Sequence, residues 1–158
     1  VTKWRRTGII WWNLIDGWPQ ISDAVVDYYH QKKLAYYYIK RVQQPVAVLM
    51  DELRDWGHAV YLCNDSRTDC RVKYCITDGD TGEVYLEGEA FSPANENVKI
   101  GNIRELAGRQ KLYLITWEMD EKQYGNHYIS GYPAYDAQKM LGWVEKIAAL
   151  PEAFEWEG

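Results

Sequence analysis

Residues 9–19, IIWWNLIDGWP, set Trp11, Trp12 and Trp18 around an amide, Asn13, and a carboxylate, Asp16. A buried strand needs the apolar part of that run. It gains nothing from polar groups directly behind two indoles, because an unpartnered buried amide or carboxylate costs free energy. Two readings stand at this point: Trp11, Trp12 and Trp18 fill a core while Asp16 caps a turn, or the run presents flat apolar faces for stacking with hydrogen-bonding groups beside them. Other candidate chemistry is weaker. Asp78, Asp80 and Glu83 in DGDTGE gather carboxylates as a calcium loop does. The later bidentate Glu of such a loop is missing, and an acidic, Gly-containing turn between two strands is the commoner meaning. Cys63, Cys70 and Cys75 form no CxxC pair and have His58 at no ligand spacing, so no metal centre is expected. Cys63 and Cys70 could face each other across a hairpin; small buried free thiols are the alternative. Ser and Cys nucleophiles lack His and Asp companions. His30, His58 and His127 fall at a helix start and in two strands, where exposed or core-satisfied imidazoles are expected. Without GxGxxG, GxSxG or a P-loop, no cofactor is expected either.

The elements that must position these groups change character near Pro45. Before it, GIIWWNLI is a short continuous apolar run bounded by Gly8 and DGWP, as expected of a parallel strand buried on both faces. Leu34, Tyr37, Tyr38, Arg41 and Val42 then recur at helical spacing up to Pro45. Strand, loop and helix make half of a βα unit with no parallel partner strand nearby in the sequence. After Pro45 come seven candidate strands separated by turn chemistry: PVAVLMDEL, HAVYLCN, CRVKYCIT, VYLEGEAF, NVKIGNIREL, QKLYLITWEM and QYGNHYISG. They predict an antiparallel sandwich of immunoglobulin-like type. Asp136 is the expected N-cap of a closing helix with an apolar stripe of Met140, Leu141, Val144, Ile147 and Ala148, stopped by Pro151 and followed by a loose tail.

Composition narrows the partners. The 158 residues are 47% hydrophobic and 26% charged with a formal charge of −5, and the basic residues are scattered, so no nucleic-acid footprint exists. No apolar stretch approaches the roughly 20 residues of a membrane span, and no signal peptide is visible. The chain opens on Val1 with no initiator Met, which leads us to expect a fragment or a processed form of a longer protein. Eight Trp and thirteen Tyr against two Phe suit sugar rings, protein interfaces and sandwich cores alike.

The run WWNLIDGWPQIS, with VDYYHQKKLAYYYIKR after it, resembles the end of the catalytic barrel in glycoside hydrolase family 2, the β-mannosidase, β-galactosidase and β-glucuronidase group. In the β-mannosidase-like members the eighth barrel strand reads approximately Y-W-Q-x-N-D-x-W-P, then S, then I-D-Y-x, a helix and a Tyr-rich segment ending in Lys-Arg. Trp11 to Pro19, Ser22, Asp27-Tyr28 and Lys40-Arg41 fall in that register. NHYISGYPAYDAQKMLGWVEKI is similar to the closing strand and helix of the C-terminal sandwich in the same group. Asn13 and Ile15 stand where the family commonly has Gln and Asn, which shortens one sugar-contacting amide and removes another.

The resemblance implies that residues 1–43 are the last strand and helix of a (β/α)8 barrel and that residues 44–158 are a C-terminal β-sandwich domain with a terminal helix. It implies a retaining mechanism with two glutamates about 5 to 5.5 Å apart. Both belong to earlier barrel strands, so this chain has no catalytic residue of its own and is expected to be inactive alone; Asp16, Asp23 and Asp27 do not occupy the family's catalytic positions. Trp12 is the expected wall of the sugar subsite, with Asn13 and Asp16 as polar supports and Trp18 packing near the pocket. The implied partners are a carbohydrate substrate and the rest of the barrel, with no nucleic acid and no membrane. The orphan strand from Ile9 to Ile15 is expected to pair with another copy, fold back on the sandwich, or be poorly ordered. The rival reading is a non-catalytic carbohydrate-binding sandwich, which would set Tyr74, Tyr85, Tyr113 or Trp117 outward in a planar row. An immunoglobulin-like adhesion domain is a third reading, and it leaves the first forty residues unexplained.

Overall fold

The computed structural model describes residues 11–106, 110–131, 136–151 and 153. The chain divides between Gln44 and Pro45 into two compact units. The first unit contains the helix α1 (Leu34–Val42); the second contains strands β1 (Val46–Met50), β2 (Gly57–Asn64), β3 (Cys70–Asp78), β4 (Val84–Ser92), β5 (Asn97–Arg104), β6 (Lys111–Met119) and β7 (Lys122–Ser130), and the helix α2 (Ala137–Ala148).

In the second unit, alternation of apolar and polar residues does what it predicts. The β3 sequence CRVKYCITD buries Cys70, Val72, Tyr74 and Ile76 and exposes Arg71 and Lys73, because successive side chains on a strand point to opposite faces. The strands form two antiparallel sheets, β1-β2-β5 and β4-β3-β6-β7. Val48, Val60, Leu62 and Ile103 from one sheet join Val72, Ile76, Ile115 and Trp117 from the other in a single core cluster, an arrangement consistent with a β-sandwich. Each such side chain contributes about 1.5–3 kcal/mol by leaving water. The first strand ends at Met50, short of the expected Leu53, because a two-residue turn intervenes. Asp55 and Trp56 have φ of 49° and 64°, and Arg54 and Gly57 exchange backbone hydrogen bonds of 2.9 and 3.0 Å. That is the primed hairpin geometry whose twist suits antiparallel strands, built here without the Asn-Gly that usually announces it. Asn64 orders the DSRTD turn: its Nδ2 donates to the carbonyls of Thr68, Ser92 and Pro93, and its Oδ1 accepts from Ser66.

Asp136 caps α2 as expected, accepting from the backbone N–H groups of Gln138 and Lys139 at 2.8 and 3.1 Å. The expected stripe is rotated: Trp143 and Ile147 are the buried residues, while Leu141 is 66% exposed and Ala148 is also exposed. The anchor is polar as well as apolar. Trp143 Nε1 donates to Asp80 Oδ1 at 2.7 Å, and Lys146 Nζ donates to the Gly79 carbonyl at 2.6 Å, which ties the helix to the β3–β4 turn. At its far end the helix comes down on β7 at Gly125, where an added Cβ would meet Leu150 Cβ at 2.9 Å. Of the tail expected to be loose, Ala153 is buried and the remaining residues lie outside the described ones.

In the first unit the expected helix forms, starting at Leu34. Leu34 and Val42 are exposed, and Arg41 is buried with its guanidinium 5.0 Å above the Tyr38 ring. Of the strand expected from Ile9 to Ile15, residues 9 and 10 lie outside the described residues, and 11–15 contain a single parallel bridge, Ile15 to Val26. His30 sits in a tight turn ahead of the helix, at φ 64°, and does not begin it.

Candidate functional site

Residues 11–33 are organised around Val26. Its N–H donates to the Leu14 carbonyl at 3.0 Å, its carbonyl accepts from Asp16 N–H at 3.1 Å, and it bridges Lys32 on the other side in antiparallel sense. Asp27 closes the turn between those two segments, accepting from Gln31 N–H on its carboxylate at 2.8 Å. Tyr28 and Tyr29 ride on this turn, their exposed rings edge to face at 5.3 Å. Trp12 is 79% exposed and Trp18 64% exposed; Asn13, joined to Trp12 by a cis peptide bond, is half-buried. Asp16 differs from all three. Its carboxylate is buried and accepts from the Ser22 hydroxyl, from Gln20 Nε2 at 3.1 Å and from Lys33 Nζ at 3.0 Å. The Ser22 hydroxyl does most to hold this carboxyl below the ordinary aspartate range; burial works against it, and Lys33 and Gln20 add to the lowering. An apolar cleft of about 410 Å³ runs between Trp11, Leu14 and Val25 on one side and Tyr36 and Ile39 of α1 on the other.

The second unit holds a separate polar cluster. His58 Nδ1 lies 2.9 Å from the Asp51 carbonyl and Nε2 2.9 Å from Glu105 Oε2; Tyr113 donates to the same Oε2 at 2.5 Å and Ser130 to Oε1 at 3.0 Å. An acid, an imidazole and a hydroxyl are present, but Ser130 Oγ and Glu105 both address Nε2 of the ring. A hydrolytic triad needs the hydroxyl and the acid on opposite nitrogens. His58, Glu105, Tyr113 and Ser130 are all buried, so this is the core-satisfied imidazole expected of His58, tying one sheet to the other. Burial, and then the neighbouring Glu105 carboxylate, push the Tyr113 phenol far above its usual range.

The two DGDTGE aspartates serve the fold. Asp78 accepts from the N–H groups of Asp80 and Thr81 and from the Tyr85 hydroxyl, and Asp80 receives Trp143, Lys139 and Lys146. Among the described residues no group of three or more His, Cys, Asp or Glu is placed to hold a metal ion. The three cysteines are free, and Cys63 and Cys70 belong to strands of different sheets. Burial pushes the Cys70 and Cys75 thiols up, away from reactivity. The aromatics that a carbohydrate-binding face would need are turned the other way: Tyr74, Tyr113 and Trp117 lie in the core, with Tyr85 half-buried against it.

No protein-family model matches the chain. Over an alignment of 63 residues, part of the chain is 45% identical to Beta-mannosidase B of Aspergillus niger, and 42% identical to the Beta-mannosidase B of Aspergillus flavus and of Aspergillus oryzae. These partial identities support a glycoside hydrolase relationship for the matched part of the chain. The match takes in 34% of this chain and spans 8% of the length of those curated relatives.

For a chain with this relationship, the groups that sequence reasoning singled out separate into two kinds. Trp12 and Trp18 are presented at the surface, whereas Asp16 is consumed by hydrogen bonds within its own unit. Ser22, Asp27 and Arg41, which the sequence resemblance picks out, hold a carboxylate, close a turn and lie over a ring respectively. Lys33 and Gln20 went unrecognised as partners of Asp16. No local signal marks Lys33, which sits seventeen positions from its partner, as the separation of the pair shows; the one available hint is a cation at the start of a helix, where helices rarely favour one.

Proposed function

We propose that this chain is the C-terminal part of a family 2 glycoside hydrolase of β-mannosidase type, which cleaves terminal β-glycosidic bonds with retention through two glutamates supplied by other parts of the enzyme. The observation that carries this reading is the identity of 45% over 63 residues with Beta-mannosidase B. Residues 1–43 are the last βα unit of the catalytic barrel. Residues 44–158 are an immunoglobulin-like accessory domain; its fourth strand pairs with the third and leaves the first sheet with three strands, a variation on the seven-stranded immunoglobulin order. The exposure of Trp12 and Trp18 supports a place for both rings at the sugar site, Trp12 stacking on the ring and Trp18 at its margin. Asn13 offers an amide to a hydroxyl, and Asp16 supports the loop from beneath.

The test is to express the full-length protein that contains this segment and assay 4-nitrophenyl β-mannoside, β-galactoside and β-glucuronide, following the anomeric product by NMR. Hydrolysis of the mannoside with retention is expected, and Trp12→Ala should raise KM about tenfold or more. No hydrolysis of any of the three, or an inverted product, would defeat the reading.

A further inference from the structure

The loop from Asp16 to Ser22 is closed by one ammonium group. Lys33 Nζ donates to Asp16 Oδ2 at 3.0 Å, at the start of the loop, and to the Ser22 carbonyl at 3.2 Å, at its end. Asp16 Oδ1 completes the ring by accepting from the Ser22 hydroxyl and from Gln20 within the loop. The backbone joins in: Lys33 N–H donates to the Val25 carbonyl at 2.9 Å, so the residue is anchored at both its main chain and its side-chain tip. The Asp16 side chain is 0% exposed and that of Lys33 30% exposed, so the carboxylate is the desolvated member and depends on its cation.

Lys33 does this from an expensive position. It is the N-cap residue of α1, where Ser, Thr, Asp or Asn would satisfy the first N–H groups and where the helix dipole opposes a cation. No side-chain cap forms there. A residue chosen for the helix would be a different one; Lys33 suits the loop. What the loop carries between its clamped ends is Trp18 and Ile21, both exposed.

We propose that Lys33 is a positioning residue, which through Asp16 and Ser22 holds the 16–22 loop in one conformation and thereby fixes where Trp18 stands beside the substrate. The role assigned to Trp18 rests on the glycoside hydrolase reading; the clamp itself does not. Charge-assisted hydrogen bonds to a buried carboxylate are strong enough to select one loop conformation. Removing the cation leaves Asp16 buried and underpartnered, and the loop must open to rehydrate it.

The experiment uses the full-length protein with Lys33→Met and Lys33→Arg. Amide hydrogen exchange over residues 16–24 is expected to quicken about tenfold or more in Lys33→Met, with the strands of the second unit unchanged, and to return toward wild type in Lys33→Arg. With 4-nitrophenyl β-mannoside, Lys33→Met should raise KM about tenfold while kcat changes less than about threefold, and Lys33→Arg should recover most of the loss. Unchanged exchange over 16–24 in Lys33→Met would overturn the clamp, and an unchanged KM alongside a lowered melting temperature would reduce it to a structural ion pair. A wild-type protein with no glycosidase activity would defeat the functional reading alone, because the exchange measurement still decides the clamp.

Discussion

Glu105 joins groups that the chain keeps far apart: His58, forty-seven positions away, with Tyr113 and Ser130 from the other sheet. Removing the carboxylate strands a buried imidazole, a phenol and a hydroxyl together, so Glu105→Ala is expected to lower stability by about 3–5 kcal/mol, read as a shift of the urea midpoint. Three aspartates carry a second prediction. Asp16, Asp78 and Asp80 all lie below the ordinary value of 3.8; burial pushes the Asp78 and Asp80 carboxyls up, and their hydrogen-bond donors and nearby lysines together outweigh it, while at Asp16 the Ser22 hydroxyl leads. A carboxyl whose folded value is depressed adds stability that is complete above its unfolded value and is lost as pH falls through the folded one. The melting temperature should therefore hold from about pH 7 to about pH 5 and fall below about pH 4, and Asp80→Asn should blunt that fall. At this scale the sequence was half legible. Alternation and helix spacing do not disclose which polar groups will meet, because Asp16 to Lys33 and Glu105 to His58 are pairings made by folding.

The closing helix shows what periodicity leaves open. A stripe through Met140, Leu141, Val144 and Ile147 satisfies helical spacing, yet the face that packs is centred on Trp143 and Ile147. Two readings of one helix differ by a small rotation, and the choice falls to Asp80, whose carboxylate takes the Trp143 indole N–H. Trp143→Ala is expected to cost about 3–5 kcal/mol by chemical denaturation, whereas Leu141→Ala should stay within about 0.5 kcal/mol. The seven strands were more plainly written than the helix faces. Their boundaries follow from turn residues and from a side-chain period of two, which admits no intermediate rotation. The β1–β2 turn escaped because Asp55 and Trp56 adopt left-handed backbone without a glycine at either position.

On the scale of the molecule, the first unit presents Trp11, Trp12, Trp18, Ile21 and Tyr29 to solvent within one short stretch of chain. Large exposed apolar residues, where they form a contiguous patch, are common at contact surfaces, which makes association the property to measure. Two outcomes are expected of residues 1–158 expressed alone. They should not hydrolyse 4-nitrophenyl β-mannoside, since the two glutamates of the proposed mechanism lie elsewhere, and a measurable rate would refute that assignment. They should also self-associate, giving scattering mass that rises with concentration and that falls in a Trp12→Ser, Trp18→Ser variant; a concentration-independent monomer would count against an orphaned surface. What the amino-acid order determined by itself was local: strand positions, the Asp136 cap, the change of character near Pro45, and the aromatic run whose register resembles a known enzyme group. Those features depend on neighbours along the chain. Only the tertiary structure decided that Asp16 is spent on Lys33 and Ser22 while Trp12 and Trp18 stay exposed, and that Tyr74, Tyr113 and Trp117 face inward. Whether a polar or aromatic side chain is consumed or presented depends on what folding brings against it, and those partners come from distant points in the chain.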